Sequence, residues 1–221
     1  MLLVWVMLAG TPQPSFGSDI APDDLIFGVD EAGRGPLAGP VVAAAVVLCK
    51  PLPDELASGL DDSKKLSAKK RGALDIMVQE HCGWGVGVVD VDQIDTLNIL
   101  GATMLAMTQA VAQLAAVLGH DPRHVLIDGN LTPQGRCDQW RWDGRPIIGG
   151  DGIEPCISAA SIVAKEWRDR MMVAAAKEHP QYGWDRNKGY GSREHMAALR
   201  LHGPTPLHRR SFAPVAQLSL I

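Results

Sequence analysis

Two adjacent acids followed by a glycine-rich loop carry the clearest chemical signal in this sequence. Asp30 and Glu31 end the apolar run 25–29, and the loop that follows has glycines at 33, 35 and 39. Carboxylates are the natural ligands of hard divalent cations such as Mg²⁺ and Mn²⁺. Glycines let the backbone of a polyanion come close to a loop. The alternative interpretation is a strand end with a solvated acidic turn.

Two further acids also lie at the ends of predicted strands. Neighbouring strand residues point to opposite faces, so Asp30 and Glu31 can share one site only where their strand ends and twists away. Asp128 ends the short apolar run 124–128, and Asp151 follows the run 145–148. Ligands in open α/β sheets gather where strands end. This placement is typical of a ligand site.

The rest of the sequence predicts the elements that must position these residues. Apolar runs predict strands at 25–29, 41–48, 84–90, 124–128 and 145–148. Helical spacing and terminal residues predict helices at 67–80 with Ser67 as N-cap, 98–118 closed by Gly119, 157–179, and 193–202. Residues 52–62 are predicted as a loop. Three early strands followed by alternating helices and strands predict an α/β domain with a mixed sheet.

Composition is compatible with one soluble globular domain. The 221 residues are 46% hydrophobic and 21% charged, with a net charge of −4. The net charge argues mildly against a nucleic-acid partner, but residues 185–210 hold six Lys or Arg against two acids. That segment is either a polyanion-binding surface or a solvated helical surface. The four cysteines show no zinc-site spacing, so we expect reduced thiols and a cytoplasmic protein.

The N-terminal residues 1–24 are predicted to be a disordered or loosely docked extension, and residues 25–221 to be one domain. The apolar run 2–9 is too short to span a bilayer. It is not preceded by the Lys or Arg that a secretory signal normally carries. A signal peptide cleaved after Ala9 is the alternative.

Six short blocks stand out along the chain, at 30–40, 62–67, 126–130, 157–165, 188–192 with His195, and 208–212. In their sequence and order they resemble the ribonuclease HII family, the type 2 ribonucleases H, and the resemblance runs from about residue 25 to 215. Each block is a weak signal, but six in order are a strong one. The resemblance implies a ribonuclease H-like mixed sheet flanked by helices, with a C-terminal helical appendage.

The resemblance implies a metal-dependent endoribonuclease that cuts the RNA strand of RNA–DNA hybrids and nicks duplex DNA 5′ to single embedded ribonucleotides. Such chemistry suits two Mg²⁺ or Mn²⁺ ions held roughly 3.5–4 Å apart. The implied catalytic metal ligands are Asp30, Glu31, Asp128 and Asp151. Partners other than nucleic acid are not indicated: neither a membrane nor an obligate protein partner is expected.

Asp151 is the least secure of these ligands. The family usually has a Lys-x-Asp sequence there, whereas this chain has glycine at position 149. The carboxylate is kept, but any role of the lysine is put in doubt. Asp169 is the competing candidate, although it lies in a predicted helix between two arginines, which is typical of an ion-rich surface.

Substrate recognition is expected to involve two glycine-flanked loops. By resemblance, the backbone of Gly33, Arg34 and Gly35 senses the 2′-hydroxyl, and Tyr190 stacks on the sugar of the following deoxynucleotide. Further residues are expected to hold phosphate oxygens: Ser63, Lys64, Lys65, and, near a helix N-terminus, Ser158, Ser161 and Lys165. Lys165 could instead pair with Asp169 four residues on.

Three basic residues in the C-terminal region also have candidate roles. His195 is interpreted as a structural histidine, while Arg209 and Arg210 are either contacts to the nucleic-acid backbone or ties between the tail and the domain.

Two other functions remain as alternatives. Another ribonuclease H-like nuclease, such as a junction resolvase or an exonuclease, is one alternative function. A non-catalytic module that binds hybrids is the other.

Overall fold

A five-stranded mixed sheet forms the centre of this computed structural model, which describes residues 25–60 and 66–220. The spatial order of the strands is β3-β2-β1-β4-β5. Their bounds are β1 Ile26–Ala32, β2 Val41–Leu48, β3 Cys82–Val89, β4 His124–Asp128 and β5 Gly144–Ile147. Strand β2 pairs antiparallel with both β1 and β3, whereas β4 pairs parallel with β1 and β5 pairs parallel with β4. The predicted mixed sheet is confirmed. The predicted N-terminal extension lies outside the described residues.

Helices cover both faces of the sheet. Their bounds are α1 Asp54–Gly59, α2 Ala68–His81, α3 Val91–Leu118, α4 Pro155–Glu178, α5 Trp184–Asn187, α6 Arg193–His202 and α7 Ala213–Ala216. Short 3₁₀ turns lie at Gly150–Gly152, Pro180–Tyr182 and Gln217–Leu220. The predicted cap of α2 is confirmed, because the Ser67 hydroxyl accepts a hydrogen bond from the Lys70 amide at 3.3 Å.

One sequence prediction about these elements was wrong, and a second was incomplete. The segment 52–62 is not all loop, since α1 forms there and buries Leu56 in the cluster that contains Leu74 of α2. The predicted helix 98–118 forms the second part of α3, and the sequence missed the first part, a helical segment that begins at Val91 and is capped by Asp90. Asn98 still marks a break: its φ is 60°, and its side chain caps the amide of Leu100 at 2.9 Å.

Each face of the sheet has its own apolar core. Alternate residues such as Phe27 and Val29 of β1 pack against α3, while Ala44 and Val46 of β2 pack with α2 and α4 on the other face. Among residues 25–60 and 66–220, α3 is the single helix long and apolar enough to span a membrane by length and composition. More than half of its apolar stretch is buried in the protein, as expected of a core helix.

The C-terminal region forms the predicted helical appendage around a third cluster of buried residues. Tyr182, Trp184 and Leu199 pack there with Met172 of α4. The loop that follows β1 joins the same cluster through Leu37. This packing brings the C-terminal region against the glycine-rich loop that the sequence singled out.

Candidate active site

The register of two parallel strands brings two of the predicted ligands together. Val29 of β1 lies opposite Ile127 of β4. Asp30 and Asp128 are the next residues along their strands, so their side chains point to the same face of the sheet. Asp151 comes from the 3₁₀ turn after β5, and its amide donates a hydrogen bond to Asp128 Oδ1 at 3.4 Å. Three separate segments therefore meet at this point.

The carboxylates of Asp30, Asp128 and Asp151 form one acidic group. Each offers an oxygen atom, and these atoms lie within 4.8 Å of one another. Asp30 is buried, and burial raises its pKa well above the usual range, followed by the effect of the Glu31 charge and then that of Asp128. A hydrogen bond with Ser161 of α4 opposes this rise. Three carboxylates so close together crowd negative charge at this point, which a bound cation would offset.

Glu31, the fourth predicted ligand, lies beside this group but is not part of it. Its Oε1 accepts a hydrogen bond from Arg34 Nη1 at 3.2 Å. Burial raises the pKa of Glu31, and the Arg34 charge opposes that rise. The Glu31 amide donates to Asp30 Oδ1 at 2.7 Å, which ties the two acids together at the strand end.

The donor set of the acidic group fits a hard divalent cation. All three donors are carboxylate oxygens, which Mg²⁺ and Mn²⁺ prefer over imidazole or thiolate. Asp169, the competing candidate, binds Lys165 Nζ at 2.7 Å and lies 3.8 Å from Arg71 Nη2. Asp151 therefore lies in the acidic group, whereas the charge of Asp169 is balanced by these two cations.

The glycine-rich loop and the tyrosine loop lie side by side next to these acids. Gly33 has a φ of +97°, and a methyl group on it would lie 2.0 Å from Arg168 Nε, so no larger residue fits. Arg34 and Gly35 are exposed. Tyr190 is 48% exposed, and a methyl group on Gly35 would lie 3.6 Å from its ring. Tyr190 is therefore a surface aromatic and not a core residue.

The predicted phosphate contacts lie in three different settings. Ser158 and Ser161 are buried in α4, where Ser161 supports Asp30. Lys165 lies in the third turn of α4, not at its N-terminus, and it pairs with Asp169 as the alternative prediction stated. The predicted contacts Ser63, Lys64 and Lys65 lie outside the described residues.

His195 is a structural histidine, as predicted. It is fully buried, and its Nδ1 lies 2.8 Å from the carbonyl oxygen of Tyr190. Its Nε2 accepts from the indole of Trp184 at 3.2 Å and lies 3.1 Å from Nε2 of His208. The ring thus holds the backbone of the tyrosine loop against the C-terminal region.

Two buried arginines beneath the loops are the residues that sequence reasoning missed or left open. The sequence leaves Arg209 with two possible roles, a contact to the nucleic-acid backbone or a tie between the tail and the domain. In the structure it ties the C-terminal region to the glycine-rich loop. The sequence predicts Arg168 on an ion-rich helical surface, but the side chain is 1% exposed and bonds to the carbonyls of Ala38, Pro40 and Lys188. The sequence did contain an indication that Arg168 is buried. It lies seven residues after Ser161, about two helical turns, and so shares a helix face with it.

Comparison with known sequences gives a consistent family match. A family model described as ribonuclease HII matches residues 27–215. Ribonuclease HII of Erythrobacter litoralis is 67% identical over 214 residues, which cover 97% of this chain and 99% of the relative. Ribonuclease HII of Novosphingobium aromaticivorans is 68% identical over 197 residues, which cover 88% of this chain and 98% of the relative.

Comparison with solved structures supports the fold. The ribonuclease H2 from Pyrococcus horikoshii OT3 superposes with a TM-score of 0.69 at 22% identity, covering 88% of this chain and 97% of that chain. A structure of Bst-RNase HIII superposes with a TM-score of 0.71 at 20% identity, covering 94% of this chain and 73% of that chain. At these identities the likeness concerns the fold alone, and it confirms the predicted architecture.

Proposed function

This chain belongs to the ribonuclease HII family, and we propose that it nicks duplex DNA on the 5′ side of single embedded ribonucleotides. The family membership makes it a hydrolytic nuclease of the type 2 ribonuclease H class, a class that depends on divalent metal ions. We further propose that it cleaves the RNA strand of RNA–DNA hybrids. Both reactions leave a 3′-hydroxyl and a 5′-phosphate.

The observation that carries this proposal is the position of two exposed recognition elements beside the acidic group. The glycine-rich loop continues directly from the strand that carries Asp30, and the ring of Tyr190 lies against Gly35. A site that only hydrolysed phosphodiesters would need the acids alone. An enzyme that selects a ribonucleotide must also contact its 2′-hydroxyl and test the neighbouring sugar.

Asp30, Asp128 and Asp151 are the residues proposed to hold divalent ions, with Glu31 as a fourth ligand. When bound, two such ions supply an activated water, neutralise the phosphate and stabilise the departing 3′ oxygen. Mg²⁺ and Mn²⁺ both suit carboxylate donors. The superposed Bst-RNase HIII structure is a complex with Mn²⁺.

The other residues are proposed to bind and orient the nucleic acid. The amides of the exposed residues Arg34 and Gly35 would bond to oxygens of the ribonucleotide, and the flat Tyr190 ring would lie on the next sugar. A 2′-hydroxyl on that sugar would crowd the ring, whereas a deoxyribose would not. Ser63, Lys64, Ser158 and Lys165 are proposed to hold phosphates, and Lys165 would then leave its partner Asp169. Phosphate contacts position a duplex without reading its sequence.

The test compares three substrates and two variants of Tyr190. We expect the wild-type protein to cleave a DNA duplex with one ribonucleotide and an RNA–DNA hybrid, and to leave an all-DNA duplex intact. Stacking on a sugar or base is worth about 1–3 kcal/mol, so Tyr190→Ala should lose about 5- to 150-fold in kcat/KM on the single-ribonucleotide duplex. Tyr190→Phe keeps the ring and is the matched control, expected to retain most activity.

Two outcomes would contradict the proposal. Equal rates for wild type and Tyr190→Ala on the single-ribonucleotide duplex would remove the sugar-testing role of Tyr190. Cleavage of long hybrids without any cleavage of the single-ribonucleotide duplex would point to a different ribonuclease H-like activity. A titration of Mn²⁺ into both variants should give wild-type affinity, which separates loss of recognition from loss of the metal site.

A further inference from the structure

Arg209 lies beneath the glycine-rich loop and binds its backbone. The side chain is fully buried, and its guanidinium donates hydrogen bonds to four carbonyl oxygens of the loop. The acceptors are Gly33 at 2.6 Å, Arg34 at 2.9 Å, Gly39 at 2.9 Å and Pro40 at 3.1 Å. One side chain therefore fixes both ends of this loop.

The positive charge of Arg209 is not paired with an acid in the part of the chain that the structure describes. All its side-chain hydrogen bonds in that part go to carbonyl oxygens. Burial, and next the nearby charge of Arg168, lower its pKa to about 9, and the charge of Asp95, which forms no salt bridge with it, opposes this fall only in part. A buried charge without an acidic partner is costly. No neutral side chain carries enough donors for four carbonyl oxygens, so the arginine that ties the loop also places a positive charge against these oxygens.

Two of the four carbonyls that Arg209 binds belong to peptide groups whose amides are those of two exposed residues, Arg34 and Gly35. The Gly33 carbonyl shares its peptide group with the amide of Arg34, and the Arg34 carbonyl shares its peptide group with the amide of Gly35. A cation on a carbonyl oxygen polarises the whole peptide group and makes its N–H a stronger donor. Neither N–H donates to another atom within residues 25–60 and 66–220. Both donors are therefore polarised and available to a ligand.

We propose that Arg209 is a positioning residue that fixes the glycine-rich loop and strengthens the Arg34 and Gly35 amides as donors to an oxygen of the ribonucleotide. This inference rests on the proposed function, because it names the group that sets the strength of the ribose contact. Arg168 provides a comparison: it is buried beneath the same loop, but its bonds go to Ala38, Pro40 and Lys188. Arg168 holds the loop without polarising those two amides.

The experiment compares the same substitution at three arginines. Arg209→Lys keeps the charge but loses the planar fork of donors, Arg168→Lys does the same at the comparison site, and Arg141→Lys is a surface control. For each protein we would measure kcat and KM on the single-ribonucleotide duplex, and the inhibition constant of the matched all-DNA duplex as a competitor. A thermal melt and an Mn²⁺ titration would check folding and the acidic group.

The expected result is a selective loss of the ribonucleotide contact. Arg209→Lys should lower kcat/KM about tenfold, while the inhibition constant of the all-DNA duplex changes by less than about twofold. Arg168→Lys should change both quantities together, and Arg141→Lys should change neither. If the lysine variant does not fold, Arg209→Gln is used in its place. Amide proton shifts of Arg34 and Gly35 in the wild-type protein, expected downfield of random-coil positions, test the polarisation without any variant.

Three results would overturn this inference. Wild-type kcat/KM in Arg209→Lys, with the wild-type enzyme cleaving the single-ribonucleotide duplex, would refute it and leave the proposed function standing. A parallel loss of kcat/KM and of all-DNA binding would show that Arg209 only holds the fold. Random-coil amide shifts for Arg34 and Gly35 would remove the polarisation. Failure of the wild-type enzyme to cleave that duplex would instead contradict the proposed function itself.

Discussion

Asp128→Asn is expected to change stability and cleavage in opposite directions. The carboxylate oxygens of Asp30, Asp128 and Asp151 lie within 4.8 Å of one another. Two unit charges at that distance repel by about 3 kcal/mol at an effective dielectric constant of 20, and by about 1 kcal/mol in water. Asp30 is buried and Asp128 is half-buried, so the true value lies between these limits. Asparagine keeps the shape and the acceptor for the Asp151 amide but removes one charge.

Without metal, the variant should therefore be more stable than the wild type. We expect a gain of about 1–2 kcal/mol, and each kcal/mol raises the melting temperature of a chain of this size by about 2–4 °C. With Mn²⁺ or Mg²⁺ the order should reverse, because a cation that binds the folded state stabilises it by mass action and the wild type binds it more tightly. Cleavage should fall at least about 100-fold, on the order of 3 kcal/mol in the barrier.

The assay is a pair of thermal melts, in EDTA and across an Mn²⁺ titration, together with cleavage of the single-ribonucleotide duplex. Asp138→Asn is the matched control, since Asp138 is exposed and outside the acidic group. Turnover like that of the wild type in Asp128→Asn would refute its assignment as a ligand. A lower melting temperature in EDTA would refute the electrostatic argument.

Two further predictions follow from the same geometry. Asp151→Asn should lose cleavage as Asp128→Asn does. Asp169→Asn should keep its Mn²⁺ affinity, because Asp169 pairs with Lys165 and Arg71 and is not part of the acidic group. The reverse result in an Mn²⁺ titration would exchange the two assignments. Burial lowers the pKa of His208 from 6.5 to about 4. The folded state therefore binds this proton less tightly than the unfolded state, so the stability that a neutral His208 contributes is present above pH 6.5 and is lost as the pH falls toward 4. The free energy of unfolding of wild type relative to His208→Gln should fall by about 3 kcal/mol over that window, and a difference that does not vary with pH would contradict this.

Elements with local signals were predictable from the sequence alone. Helix α6 has the predicted bounds, and Ser67 caps α2, because caps and terminal glycines act within a few residues. Helix α1 was missed because its helical state depends on burying Leu56 against distant residues. The helical segment before Asn98 was missed because Asn98 itself caps the helix that follows it, and the sequence signal marks that second start.

The sequence by itself determined which side chains are available for chemistry: carboxylates at strand ends, glycines in the loop after β1, and a tyrosine between glycines. Only the tertiary structure decided which of these meet. Asp30 and Asp128 become neighbours through the β1–β4 register. Asp169 is kept out of the acidic group by cations on two helices. Arg209 reaches the loop after β1 from the other end of the domain. Strand pairing, charge balance and burial act between residues that are distant in sequence, and no local pattern records them.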